Sequence, residues 1–319
     1  MLWREIQKSN FTCIKKLIDF LQITGEDREK IIQRKSFPLN LPVRLAKKIQ
    51  KGFLCDPILK QYVPTVEENI ELAGYHLDPV LDQEFCITPK LLQKYYGRVL
   101  LLCTKACAMH CRFCFRQNFN YAPSSFDFRE EYKEIRKNKD IYEVILSGGD
   151  PLSLSDEFLG ELLQELQSID HVQLLRFHSR FPVGIPERIS PAFLSCLPKD
   201  KAVCFILHIN HPLELDLDVK EAMCLLRENR VMVLSQTVLL RDINDNLATL
   251  QKLFLELSCT GIVPYYLHQF DPVIGGAHFH VDKEKGSFLC KKLREVLPGY
   301  AVPRYVQEIP KATNKTVIL

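Results

Sequence analysis

From residue 98 onward, short apolar runs alternate with longer segments in which apolar positions recur every three or four residues. The runs are RVLLLC (98–103), YEVILS (142–147), VQLLRF (172–177), AVCFIL (202–207), VMVL (231–234), IVPYYL (262–267) and AVPRYV (301–306). Near-continuous apolar runs suit strands covered on both faces. Between them, SDEFLGELLQELQS, LDVKEAMCLLREN, NLATLQKLFLEL and GSFLCKKLREVL carry the helical period. Asp156 and Glu157 fall in the first turn of the first of these, where the helix dipole favours anions. This alternation predicts an α/β fold of β/α units around a parallel sheet over residues 98–319. Residues 1–97 read instead as a mostly helical segment, with CIKKLIDFLQI, FPLNLPVRLAKKIQKG, DPILKQYVP, LDPVLDQEF and ITPKLLQKYY as short amphipathic helices separated by turn signals.

Parallel β/α folds build their sites from the loops beyond the carboxyl ends of the strands, and here those ends are polar. In order they carry the cysteines at 107–114, Ser147-Gly148-Gly149-Asp150, His178-Ser179-Arg180, His208 to His211, Ser235-Gln236, His268 to Asp271, and a last stretch with Glu308 and Lys315. One crown of polar groups is expected.

Composition narrows the class of partner. Lys+Arg 42 against Asp+Glu 39 leaves a net charge of +3, too little to call for nucleic acid or an anionic membrane, so a small-molecule substrate is expected. The opening MLWREIQKSNF lacks the apolar core of a signal peptide, and no uncharged apolar run approaches the ~18 residues of a membrane span. Twelve cysteines then read as reduced thiols or metal ligands, and a cytoplasmic setting is expected.

Cys107, Cys111 and Cys114 form C-x3-C-x2-C directly after the first run. Three thiolates so close need a shared cation, and three ligands leave a fourth position open for reaction. The alternatives are a zinc site completed by His110 or three unrelated core cysteines. The other nine, Cys13, Cys55, Cys86, Cys103, Cys196, Cys204, Cys224, Cys259 and Cys290, are expected to be small buried hydrophobes.

The triad spacing resembles the radical S-adenosylmethionine (SAM) superfamily, which implies a 4Fe–4S cluster held by three irons, with SAM chelated at the fourth. SGGDPL (147–152) looks like the glycine motif that holds the SAM methionine, implicating Ser147, Gly148, Gly149 and Asp150. A narrower resemblance covers nearly the whole chain. RVLLLCTKACAMHCRFCFRQNF, LSGGDPLSL, HSRFPVGIPERI, HINHP, LSQTVLLRDIND and PYYLHQFDPVIGGAHF are similar to the lysine 2,3-aminomutase family, as is the upstream DPILKQYVP. The resemblance implies a partial TIM-like (β/α) barrel with the helical segment packed around it. It also implies pyridoxal 5′-phosphate (PLP) as a further cofactor, L-lysine as substrate, and an electron donor such as flavodoxin or ferredoxin.

By the same resemblance, Lys315 carries PLP as a Schiff base. Where free-lysine enzymes have a run of glycines, this chain has Pro310-Lys311-Ala312-Thr313-Asn314, so Lys311 competes for the role. Arg116 matches the residue that grips the substrate carboxylate, and Asp271 and Glu308 match the two acids around its ε-ammonium. Lys94, Tyr95, Arg98 and Arg180 match PLP contacts, and His208 and Gln236 match SAM contacts. The chain ends four residues after Lys315, without the zinc-binding extension of many free-lysine enzymes. That favours the short branch, whose (R)-β-lysine a separate ligase attaches to translation elongation factor P. Free (S)-β-lysine, a radical SAM enzyme or aminomutase acting on another amino acid, a radical SAM reaction without PLP, and a non-enzymatic cluster or zinc module are the alternatives.

Overall fold

The computed structural model describes residues 2–121 and 127–318. Ten strands form one sheet in sequence order. They are β1 (Cys86–Thr88), β2 (Leu91–Tyr95), β3 (Arg98–Thr104), β4 (Glu143–Gly148), β5 (Leu174–Ser179), β6 (Ala202–His208), β7 (Met232–Val238), β8 (Val263–His268), β9 (Arg304–Gln307) and β10 (Thr316–Val317). β3 to β9, the seven runs expected as strands, pair in parallel, each with its neighbour. Strand order without crossovers, with helices between successive strands, is the winding of a partial β/α barrel.

Side-chain parity along these strands separates core from cavity, because neighbouring residues point to opposite faces. Val99 and Leu101, Val144 and Leu146, Leu175 and Phe177, and Phe205 and Leu207 are buried in the core that the helices cover. The alternate positions, Arg98, Ser147, Arg176, His178, His208, Tyr266, His268 and Arg304, line a cavity on the other face. Helix Asp156–Gln167 shows the matching stripe: Leu159, Leu162, Leu163 and Leu166 are buried, and the Ser155 hydroxyl accepts from Phe158 N at 3.2 Å to start it.

The amino-terminal residues depart from the helical reading in two places. ITPKLLQKYY forms β1 and β2 rather than a helix, a meander pairing antiparallel onto β3 with Leu91 opposite Leu101. Leu91 and Leu92 are both buried there, which one helical stripe in this short segment does not require. LDPVLDQEF reduces to a single 3-10 turn, Asp82–Phe85, entered through Leu81 in the left-handed region at φ 53°. Upstream, Trp3, Leu17, Leu21, Leu45, Ile58 and Tyr62 join the same core as the barrel strands.

All twelve cysteines are free thiols. Cys103, Cys204 and Cys290 are buried as expected of small hydrophobes, but Cys13, Cys55, Cys86 and Cys259 are exposed, a correction to that reading. Cys13 and Cys55 lie outside helices and strands, and Cys86 and Cys259 are end residues of β1 and of the helix Leu247–Cys259, positions that the core does not cover. Among the described residues, no helix is long and apolar enough to cross a membrane.

Candidate active site

The cavity at the carboxyl ends of the parallel strands has a volume of about 850 Å³. Every residue given a cluster, cofactor or substrate role from the sequence except Lys311 lies in its wall, whereas Ser179, His211 and Ser235 of the expected crown do not.

At one side lies the cysteine loop. Its backbone is stitched to the amino-terminal segment: His110 N donates to Asn40 O at 3.0 Å, Asn10 Nδ2 to Ala108 O at 2.8 Å, and Arg112 N to Gln61 O at 2.8 Å. Between the second and third cysteines, buried Arg112 makes a two-pronged ion pair with buried Glu68, Nε and Nη2 donating at 2.7 and 2.6 Å. Two prongs fix a planar guanidinium more firmly than one. His110 turns its Nδ1 to Pro38 O at 2.8 Å and stacks on Phe37. Burial pushes the Cys111 thiol up to about 12 and raises Cys107 and Cys114 as well. Three thiols that this low-dielectric wall keeps protonated become good ligands when a cationic metal centre displaces their protons, so the donor set fits an iron–sulfur cluster.

The glycine motif abuts this loop. A Cβ on Gly148 would stand 2.5 Å from Thr104 O, and one on Gly149 would stand 2.3 Å from Ala106 O. Gly149 N and Asp150 N donate to those carbonyls at 2.6 and 2.8 Å, so the glycines permit a backbone approach that any side chain would block. The Asp150 carboxylate is engaged within the protein. It accepts from Leu152 N, Arg180 N, Phe181 N and the Ser179 hydroxyl, tying the end of β4 to the end of β5. Burial raises it to about 6 in spite of these donors.

His178 and His208 touch through Nδ1 and Nε2 at 3.0 Å, and burial holds His208 down at about 3. Gln236 follows on the next strand, beside His208 in register. Arg180 departs from the expected phosphate contact. Its guanidinium is spent on Tyr62 Oη at 2.7 Å, Gln61 Oε1 at 2.6 Å and Glu214, and it stacks near Phe113 on the cysteine side. With Nε and Nη2 both engaged inside the protein, Arg180 presents fewer free donors to the cavity than Arg98 or Arg176.

The opposite side is organised by charge. Buried Asp82, which no sequence signal marked, accepts from Lys94 Nζ and Arg116 Nε, each at 2.7 Å. Burial works to raise its carboxyl, and the two cations outweigh it and hold it below the ordinary value. Arg116 also donates to Ser147 Oγ at 3.2 Å. The β9–β10 hairpin, with Thr316 opposite Gln307, carries Lys315 back over Glu308, and Lys315 Nζ donates to Glu308 Oε2 at 2.6 Å. Tyr95 Oη donates to the other Glu308 oxygen at 2.5 Å. Lys311 sits instead in the exposed turn of that hairpin, 3.1 Å from Glu84. Asp271 makes no side-chain hydrogen bond among the described residues, and burial lifts its carboxyl to about 7 although Lys315 pulls the other way.

Two buried guanidinium nitrogens, Arg98 Nε and Arg176 Nε, lack any acceptor. Both arginines line the cavity; Arg176 Nη2 is held by Glu143 Oε2 at 2.9 Å, which leaves its Nε, like that of Arg98, as a free donor of the kind that fits the phosphate of PLP. Arg176 was missed from the sequence, although a charged residue inside the apolar run VQLLRF was a usable signal.

The family described as "4Fe-4S single cluster domain" (Fer4_12) matches residues 96–175. L-lysine 2,3-aminomutase of Escherichia coli is 38% identical over 94% of this chain and 90% of its own length. That of Haemophilus influenzae is 36% identical over 99% and 95%, and that of Clostridium subterminale 33% identical over 99% and 77%. With three cluster-competent cysteines, an amine beside a carboxylate and arginine Nε donors without acceptors around one cavity, this chain belongs to the L-lysine 2,3-aminomutase family of isomerases, which work with a 4Fe–4S cluster, SAM and PLP.

Proposed function

We propose that the protein converts L-lysine to β-lysine by moving the amino group from the α to the β carbon. The observation that carries this reading is the convergence of Lys315, Glu308, Asp271 and Arg116 with the cysteine triad on one cavity. The cluster with SAM supplies the hydrogen-abstracting radical, and PLP supplies the conjugated ring through which an amino group migrates.

The residues of the chain bind, orient and shield. Cys107, Cys111 and Cys114 hold the cluster, with Ser147, Gly148, Gly149, His208 and Gln236 walling the SAM side. Asp150 acts there through the backbone it braces. Lys315 would hold PLP, and Glu308 fixes the position of its Nζ. Arg98, Arg176, Lys94 and Tyr95 surround the phosphate and ring, Arg176 joining a set from which Arg180 is withdrawn. Arg116, its Nε already fixed, offers its remaining N–H groups to the lysine carboxylate. Asp271 and Glu308 receive the ε-ammonium, whose arrival favours the ionised form of Asp271 and expels its proton. The walls exclude water from the radical.

We assign the product as (R)-β-lysine for attachment to elongation factor P, with the electron delivered by a flavodoxin- or ferredoxin-type protein in the cytoplasm. The test is anaerobic reconstitution with iron, sulfide, PLP, SAM and a reductant, then chiral chromatography after incubation with L-lysine. (R)-β-lysine is expected. The (S) isomer would move the protein to free-lysine metabolism, and SAM cleavage without β-lysine would overturn the lysine assignment.

A further inference from the structure

The segment 76–85 contributes Val80 and Asp82 to the cavity wall and is tied at its start to the loop that follows Asp271. At its start, His76 forms a parallel bridge with Val273: His76 N donates to Pro272 O at 2.9 Å and Ile274 N to His76 O at 3.1 Å, directly after Asp271. At its other end, the Asp78 carboxylate accepts from Asp82 N and Gln83 N, both at 3.0 Å, and closes the turn. Leu81 is held there in the left-handed region, a conformation a leucine adopts only where its surroundings over-determine it. The outcome is a buried carboxylate whose two oxygens are divided between two cations, Lys94 at Oδ1 and Arg116 at Oδ2.

We propose that Asp82 is a positioning residue that sets the direction of the Arg116 fork, and so the affinity for the carboxylate of the substrate. Anchored at Nε by Asp82 and at Nη1 by Ser147, the guanidinium plane is fixed before the substrate arrives, and the binding cost of ordering it is already met. Without Asp82, Arg116 is free to swing about its long stem toward the other carboxylates of the cavity. The same strap carries the Asp271 loop, so one short segment registers both charged ends of an amino acid with two cationic groups. The inference rests on Arg116 gripping the carboxylate, and the experiment separates the two claims.

Equilibrium affinities of anaerobic, unreduced holoenzyme for L-lysine and L-lysinamide are measured by calorimetry. The amide keeps both amines and lacks the carboxylate, so the ratio of the two affinities reports the carboxylate contact alone. In Asp82→Asn that ratio is expected to shrink about tenfold, through weaker L-lysine binding with lysinamide unchanged, the scale expected for re-ordering one long side chain. Asp82→Glu keeps the charge displaced by one methylene and is expected to shrink it less. Bound iron and the thermal midpoint are read on the same samples. If Asp82→Asn does not fold, Asp82→Glu alone decides, and a ratio equal to wild type overturns the proposal. An unchanged or larger ratio in Asp82→Asn, while Arg116→Gln abolishes it, overturns the positioning role and leaves Arg116 in place. A ratio that survives Arg116→Gln overturns the reading of Arg116 itself.

Discussion

Replacing Asp271 by Asn tests the electrostatics of lysine recognition. The Asp271 carboxyl has no hydrogen-bond partner among the described residues, and burial lifts it to about 7, with Lys315 opposing and Glu308 reinforcing the shift. Only the ionised form can pair with the ε-ammonium. A charge-assisted hydrogen bond of this kind contributes about 1.5–3 kcal/mol, which at ~1.4 kcal/mol per decade is about 10- to 150-fold in kcat/KM. In the wild type, kcat/KM for L-lysine should rise about tenfold per pH unit below about 7 and level off above it, reporting the free-enzyme ionisation. In Asp271→Asn both the plateau and that acid limb should be lost. The linkage sign gives a second readout. An aspartate near ~3.9 when unfolded, raised on folding, contributes stability that is intact below ~4 and is lost as pH rises through its folded value. Unfolding of the apoprotein should therefore weaken between pH 4 and 7 more in the wild type than in the variant. A variant that keeps the acid limb, or loses less than threefold in kcat/KM, refutes this account of the ammonium site.

Three further substitutions probe separate parts of the structure. Glu68→Ala leaves the buried Arg112 guanidinium without its counter-ion and should cost about 3–5 kcal/mol in denaturant unfolding, whereas a loss under 1 kcal/mol would show that the pair is solvated. Gly149→Ala places a methyl 2.3 Å from Ala106 O, so reconstituted iron and sulfide should fall well below wild type, while Gly299→Ala, with nothing within 4 Å, should leave them unchanged. Lys315→Ala should abolish borohydride trapping of PLP on the protein, and Lys311→Ala, altering an exposed lysine paired with Glu84, should preserve it. Trapping that follows Lys311 instead would reassign the cofactor lysine.

The parallel strands were legible because each is an apolar run closed in on both faces, and the helices because stripes such as Leu159, Leu162, Leu163 and Leu166 repeat at the helical spacing. LLQKYY was not legible, since a pair of adjacent leucines suits either period and pairing with β3 decides between them. The cysteines announce themselves by spacing. Lys315 rests on resemblance alone in the sequence, because a β9–β10 hairpin is what returns it to Glu308. Arg180 went to the wrong neighbours because its partners, Gln61, Tyr62 and Glu214, lie far from it in sequence. Asp82 and Glu68 look like ordinary surface acids in their short segments. Their burial, and the arginines they hold, arise only from tertiary packing.

The most direct test follows the nitrogen itself. Reduced, reconstituted enzyme is given L-lysine carrying 15N at the α-amino group, and the products are read by NMR. The account predicts β-lysine with the label on the β carbon, formed by the wild type and absent from Lys315→Ala. Unmoved label in the wild type, with the cluster intact and SAM being cleaved, would contradict it.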